Sequence, residues 1–192
     1  MDTNPARWSQ QVFGGLFGTS QACVLGFLAS QVGRSFYERE IVEQTAVSRS
    51  AVNLATRALH HAGLLRRERR GRMSFYTVDE RHPLVRQFKV LDTVARLEPL
   101  LKELRPLARR VILFGSCADG TNTAVSDVDL FVVAADRGNV MAAIRKCAVG
   151  TPVQAIVVDN QEMAALKERD ASFIAQVQRG IMLWEVTDEL AV

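Results

Sequence analysis

Apolar positions repeat with a helical period in the first half of the chain and gather into short continuous runs in the second. Residues 20–32 put Val24, Leu25, Leu28 and Val32 on one face, after a Ser20 cap and before a Gly33 stop, which predicts a first core helix. Residues 35–37 predict a short strand, and 38–44 a brief helix with Ile41 inward. After a turn at 45–47, Ser48 caps a helix to about Ala62, with Val52, Thr56, Leu59 and Ala62 as its buried stripe and Gly63 as its left-handed stop. Residues 64–70, a Gly71 turn and 73–78 read as a hairpin.

From His82-Pro83 onward, Leu84, Val85, Phe88, Leu91, Val94, Leu97, Leu101 and Leu104 recur every three or four positions and predict a long amphipathic helix. Pro99 is expected to kink it or restart it, and Pro106 to end it. Beyond it the period changes: Val111 to Phe114 is a continuous apolar strand, and a second runs over 128–134. The expectation is an α+β chain in three parts: an N-terminal domain over 1–81, a linker or dimerisation helix over 82–107, and a small α/β domain with a mixed sheet over 108–192.

Composition adds a charge asymmetry. The 192 residues are 48% hydrophobic and 23% charged with a net charge of +3, an ordinary globular balance. Residues 1–90 carry 13 basic against 7 acidic side chains, whereas 91–192 carry 11 against 14, so the basic excess belongs to the half that would meet a polyanion. No apolar run approaches the ~20 residues of a membrane span. The three cysteines are odd in number and widely spaced, and the first ten residues lack a secretory pattern; both lead to the expectation of a cytoplasmic protein.

Two sets of residues carry candidate chemistry. On the capped helix, Arg49, Ser50, Asn53 and Arg57 form the face away from the buried stripe, with donors suited to phosphates and base edges. Arg66, Arg67, Arg69, Arg70 and Arg72 crowd the hairpin, which is too short to bury them, so they lie in water or on phosphate. His60 and His61 are adjacent, hence on different helix faces, and have no second cluster of metal ligands. Over residues 36–79 this arrangement resembles the winged helix-turn-helix of ArsR- and MarR-like bacterial and archaeal regulators. That resemblance implies double-stranded DNA as a partner and a homodimer reading two half-sites.

The second set is Gly115-Ser116 at the end of one strand and Ser126-Asp127-Val128-Asp129 at the start of the next. Strand alternation places Asp127 and Asp129 on one face, where they repel unless a cation lies between them, and hard oxygen donors suit Mg²⁺. Gly115 lets a phosphate approach the backbone, and Ser116 adds a hydroxyl. Phe114-Gly115-Ser116, Gly120 and Ser126-Asp127-x-Asp129-Leu130 together resemble the signature of minimal nucleotidyltransferases of the DNA polymerase beta-like superfamily. Residues 108–186 fit that fold, with a helix at 139–147, a strand at 152–158, helices between 161 and 178 and a last strand at 181–185.

The resemblance implies catalytic and metal-holding roles for Asp127 and Asp129, a nucleotide cradle of Gly115, Ser116, Gly120 and Ser126, and Mg²⁺ or Mn²⁺ with a nucleoside triphosphate as ligand or substrate. It also implies a third carboxylate on the 152–158 strand, where this chain has Val153-Gln154; Gln154 can be no general base, and Asp159 lies on the opposite face. Asp119 stands where relatives commonly carry an arginine that clasps phosphate. Cys117 has no paired histidine and reads as a filler. The whole order looks like winged-helix proteins with fused nucleotidyltransferase domains. The favoured reading is a DNA-binding transcriptional regulator whose transferase-like domain binds nucleotide with impaired catalysis. Two alternatives stay open: an active enzyme moving a nucleoside monophosphate onto a protein or nucleic-acid hydroxyl, and an antitoxin-like protein partner of a HEPN-type toxin.

Overall fold

The computed structural model describes residues 19–186. The chain divides into two compact units. Among the described residues, one holds 19–95 together with Gly120–Val125, and the other holds Arg96–Asp119 and 126–186.

The first unit runs α1 (Thr19–Ser30), β1 (Phe36–Tyr37), α2 (Glu38–Thr45), α3 (Arg49–His61), β2 (Leu65–Arg70) and β3 (Met73–Val78). Its sheet is antiparallel in the order β1-β3-β2, with Leu65 opposite Val78 and Arg70 opposite Met73. Val24, Leu25, Leu28, Ile41, Val52, Leu59, Leu65 and Tyr76 form one core. The buried stripe of α3 is Val52, Ala55, Thr56 and Leu59, and Ser48 caps the helix by accepting from the Ala51 N–H at 3.4 Å. Ala62, expected in that stripe, is exposed: it lies past the last helical turn, where Gly63 (φ +77°) redirects the chain into β2. Similarly, α1 ends two residues before Val32, which is only half-buried. Ala46, between α2 and α3, is left-handed at φ 54°, and its N–H closes α2 on the Val42 carbonyl.

α4 spans Pro83–Leu104 as one helix with Pro99 inside it. Proline lacks the N–H that the Ala95 carbonyl would receive, and the division between the units falls between Ala95 and Arg96, inside this helix. Leu84, expected on the inward stripe, is 62% exposed in the first turn, whereas Val85, Leu97, Leu101 and Leu104 are buried.

The second unit continues with β4 (Arg110–Phe114), α5 (Ser116–Asp119), β5 (Val128–Val133), α6 (Arg137–Lys146), β6 (Val153–Val158), α7 (Asn160–Arg169), α8 (Ala171–Gln178) and β7 (Ile181–Glu185). The sheet order is β6-β5-β4-β7. β5 and β6 are parallel, joined through α6, and the other pairs are antiparallel, so the sheet is mixed as expected. Ile112, Phe114, Phe131, Val133 and Val158 form a core with Met163 of α7 and with Ile174 and Val177 of α8. The Phe173 ring meets Phe114 edge-on at 5.9 Å between centroids. Alternation therefore puts Asp129, two residues before Phe131, on the sheet face that α7 and α8 cover.

Candidate functional site

β4 ends at Phe114 because Gly115 takes a left-handed turn (φ +69°) that no other residue adopts cheaply. The turn brings the strand end against β5, where Phe114 is in register with Asp129. A Cβ on Gly115 would lie 2.5 Å from Asp129 Oδ2, so the absent side chain is the space the carboxylate occupies. Ser116 follows, half-buried, at the start of the short α5 turn, and Cys117 is buried beneath it with its Sγ 3.4 Å from the Asp127 carbonyl oxygen. The Gly-Ser corner and the acidic strand are thus one local structure.

Asp127 and Asp129 are both half-buried. Burial pushes the Asp129 carboxyl above the usual aspartate range, and the Asp127 charge pushes it further in the same direction. The two acids therefore feel one another, as strand alternation requires. The third position is filled from β6: Gln154 is in register with Asp129, and its Nε2 donates to Asp127 Oδ2 at 2.5 Å. The amide supplies a donor where the resemblance implies a third acid. Among the described residues no group of three His, Cys, Asp or Glu side chains is placed to hold a metal ion. Asp159 is engaged elsewhere, capping α7 by accepting from the Gln161 and Glu162 N–H groups at 2.8 Å.

Gly120 also has a positive φ (+68°), and a Cβ there would collide with the Arg86 backbone in the first unit, so that close approach accounts for the glycine. Ser126 is half-buried immediately before Asp127. Beside Gly115 opens a cleft of about 740 Å³ lined by Ala118, Asp119, Asp170, Phe173, Arg179 and Gly180, among others. Sequence reasoning missed Arg179: nothing in the local pattern distinguishes a basic residue in the turn between α8 and β7.

In the first unit the basic residues divide by partner. Arg66 pairs with Asp79 at 3.0 Å. Arg67 donates to Ser74 Oγ at 2.8 Å, and Arg70 to Glu68 at 2.8 Å while lying over the Phe75 ring. Arg49, Arg57, Arg69 and Arg72 are exposed. Ser50 Oγ is 3.3 Å from Ser48 Oγ. Asn53, expected to face outward, is half-buried, and its amide donates to Glu38 at 2.9 Å, a bond that any base contact would have to replace. His60 is engaged with the Leu65 carbonyl at 2.9 Å, and His61 is exposed. No helix among the described residues is long and apolar enough to cross a membrane.

No curated protein matches the chain. Among solved structures, a crystal structure of an Archaeoglobus fulgidus protein has 20% identity and a TM-score of 0.37, covering 42% of this chain and 91% of its own. A structure described as a toxin-antitoxin with AMP-PNP has 27% identity and a TM-score of 0.33, over 50% of this chain and 76% of its own. TrmBL2, described as an archaeal chromatin protein, has 14% identity and a TM-score of 0.35, over 90% of this chain and 76% of its own. Residues 94–182, just under half of the chain, match the family model described as "Nucleotidyltransferase domain", and the Gly115-Ser116 corner, Asp127, Asp129 and Gln154 all lie inside that match.

Proposed function

We propose that the chain is a DNA-binding regulator, in which a winged helix-turn-helix holds the duplex and the transferase-like unit binds a nucleoside triphosphate with Mg²⁺ without turning it over. The observation that carries this reading is the Gln154 amide donating to Asp127 beside Asp129. Two carboxylates, with phosphate and water oxygens completing the shell, suffice for one hard cation. They lack both the general base and the charge that a second metal needs, and removing a positioned base typically costs about 10²–10⁴-fold in rate. Asp127 and Asp129 would hold Mg²⁺, whose charge would offset their repulsion and that of the phosphates. Gly115 and Ser116 would border the phosphates, with Ser126 next to the first acid.

Support for the DNA-binding part comes from the α2-turn-α3 arrangement followed by an arginine-bearing hairpin. The exposed Arg49 and Arg57 of α3 and Arg69 and Arg72 of the hairpin supply phosphate contacts, with Ser50 beside them. A homodimer reading two half-sites is the assembly this implies.

The test uses the full chain with α-labelled NTPs and Mg²⁺ or Mn²⁺, alone and with cell extract, alongside thermal melts. The expected result is a higher melting temperature with Mg²⁺ and NTP that Asp127→Asn abolishes, and no covalent label. Label on the protein or on an extract component would establish the second reading, an active transferase, which the survival of Asp127 and Asp129 against Gly115 favours.

A further inference from the structure

We propose that Arg179 is the cation that receives the terminal phosphates of the bound nucleotide, taking over from the opposite wall of the cleft the role that Asp119 cannot fill. This rests on the nucleotide-site reading above. Gly115 joins the acids to the cleft: Asp129 packs where its Cβ would be, and Gly115 itself lines the 740 Å³ cleft. A polyphosphate whose α-phosphate sits at the acids therefore has its outlet over Gly115 into that cleft. There it meets three charged side chains, Asp119, Asp170 and Arg179.

The two acids do not act alike. Asp170 Oδ1 caps α8, accepting from the Phe173 N–H at 2.9 Å and the Ser172 hydroxyl at 2.8 Å. Asp119 is exposed at the rim and bears a charge that a phosphate avoids. Arg179 is the cationic side chain of the lining, and its backbone is fixed on both sides. Its N–H closes α8 on the Ala175 carbonyl. Gly180 after it is packed so closely on the Leu113 and Val177 carbonyls that a Cβ would not fit. A guanidinium on an anchored turn keeps its fork available for two phosphate oxygens at once.

The experiment is titration calorimetry of the full-length protein with ATP, ADP and AMP in Mg²⁺, comparing wild type, Arg179→Ala, Arg179→Lys and Asp127→Asn, with melting temperatures of the unliganded variants as folding controls. Arg179→Ala is expected to weaken ATP at least tenfold, about 1.4 kcal/mol, and AMP less than twofold. Arg179→Lys should regain part of the ATP affinity. If wild type binds ATP but Arg179→Ala binds it equally well, or loses ATP and AMP in equal measure, the arginine does not hold the terminal phosphates and the inference fails while the nucleotide site stands. If wild type binds no nucleotide, both readings fall.

Discussion

Replacing Gln154 by aspartate tests how the acidic strand is kept stable, since it exchanges a hydrogen-bond donor for a third negative charge at one position. The wild-type amide donates to Asp127 Oδ2 at 2.5 Å, a bond to a charged group of about 1.5–3 kcal/mol, taken at the lower end because Gln154 is exposed. The new carboxylate would face Asp127 and Asp129, and one like-charge pair at about 4 Å costs roughly 1 kcal/mol in water and 4 at the surface of a protein. Allowing for relaxation into solvent, Gln154→Asp should lose about 2 kcal/mol in EDTA, or roughly 8–16 °C for a separately melting unit of about half the chain. Because the two units can melt separately, the signal should be Trp184 fluorescence in a Trp8→Phe background; Trp184 lies in β7 and donates to the Ala108 carbonyl at 3.1 Å. Millimolar Mg²⁺ should return the variant to or above the wild-type temperature, whereas Gln154→Leu, which removes the donor without adding charge, should fall between in EDTA and gain less from the metal than Gln154→Asp does. If Gln154→Asp melts with wild type in EDTA, or gains no more from Mg²⁺ than wild type does, then the three side chains do not converge and the account of the site is wrong.

The other predictions concern charge at single positions. Burial and then Asp127 raise the Asp129 carboxyl, so its ionised form is penalised in the fold above that raised value and the penalty is relieved as pH falls through it. Asp129→Asn should therefore melt higher than wild type at pH 7, by a margin that shrinks on acidification; an equal or lower melt at pH 7 would contradict this. Asp170 has the opposite sign: the Phe173 N–H and then the Ser172 hydroxyl hold its carboxyl below the usual range. Its stabilisation is present at neutral pH and lost as pH falls through the lowered value, so Asp170→Ala should melt lower at pH 7 and converge with wild type in acid. For DNA, log K against log salt should be steep for wild type, and Arg69→Ala with Arg72→Ala should reduce the slope by about 2, whereas Arg67→Ala, whose guanidinium is held by Ser74, should change it less. Equal slopes in all three proteins would remove the hairpin from the interface.

What the sequence discloses about this chain depends on how local the cause is. β4 and β5 are legible to within a residue because they are buried on both faces and so read as unbroken apolar runs. The caps at Ser48 and Gly63 are legible because one residue type answers one backbone need. Periodicity locates a helix face but not where its burial stops, which is why Ala62 and Leu84, each at the end of a stripe, turn out exposed. The Asn53 bond is not legible for a different reason: its partner Glu38 is fifteen residues away on another helix. The role of Gln154 needs the β5–β6 register, set across α6, and the cleft needs the turn after α8 brought up to Gly115. Its residue type alone showed that an acid was missing; only the pairing shows what the amide does instead.

That pairing also bears on how the proposed nucleotide site would behave. Three carboxylates at one sheet edge are electrostatically frustrated until cations arrive, so such a site depends on metal for its own stability. Here the Gln154 donor already satisfies Asp127, while the penalty that burial and the Asp127 charge place on Asp129 stays for a cation to relieve. A Mg²⁺–nucleotide pair entering such a site must displace the amide, and the bond it breaks subtracts from its affinity. Under the proposed function, weaker and reversible occupancy follows. The consequence can be measured: Gln154→Leu, lacking the bond to be displaced, should bind Mg²⁺–ATP more tightly than wild type, and weaker binding would mean that Gln154 itself ligates the complex.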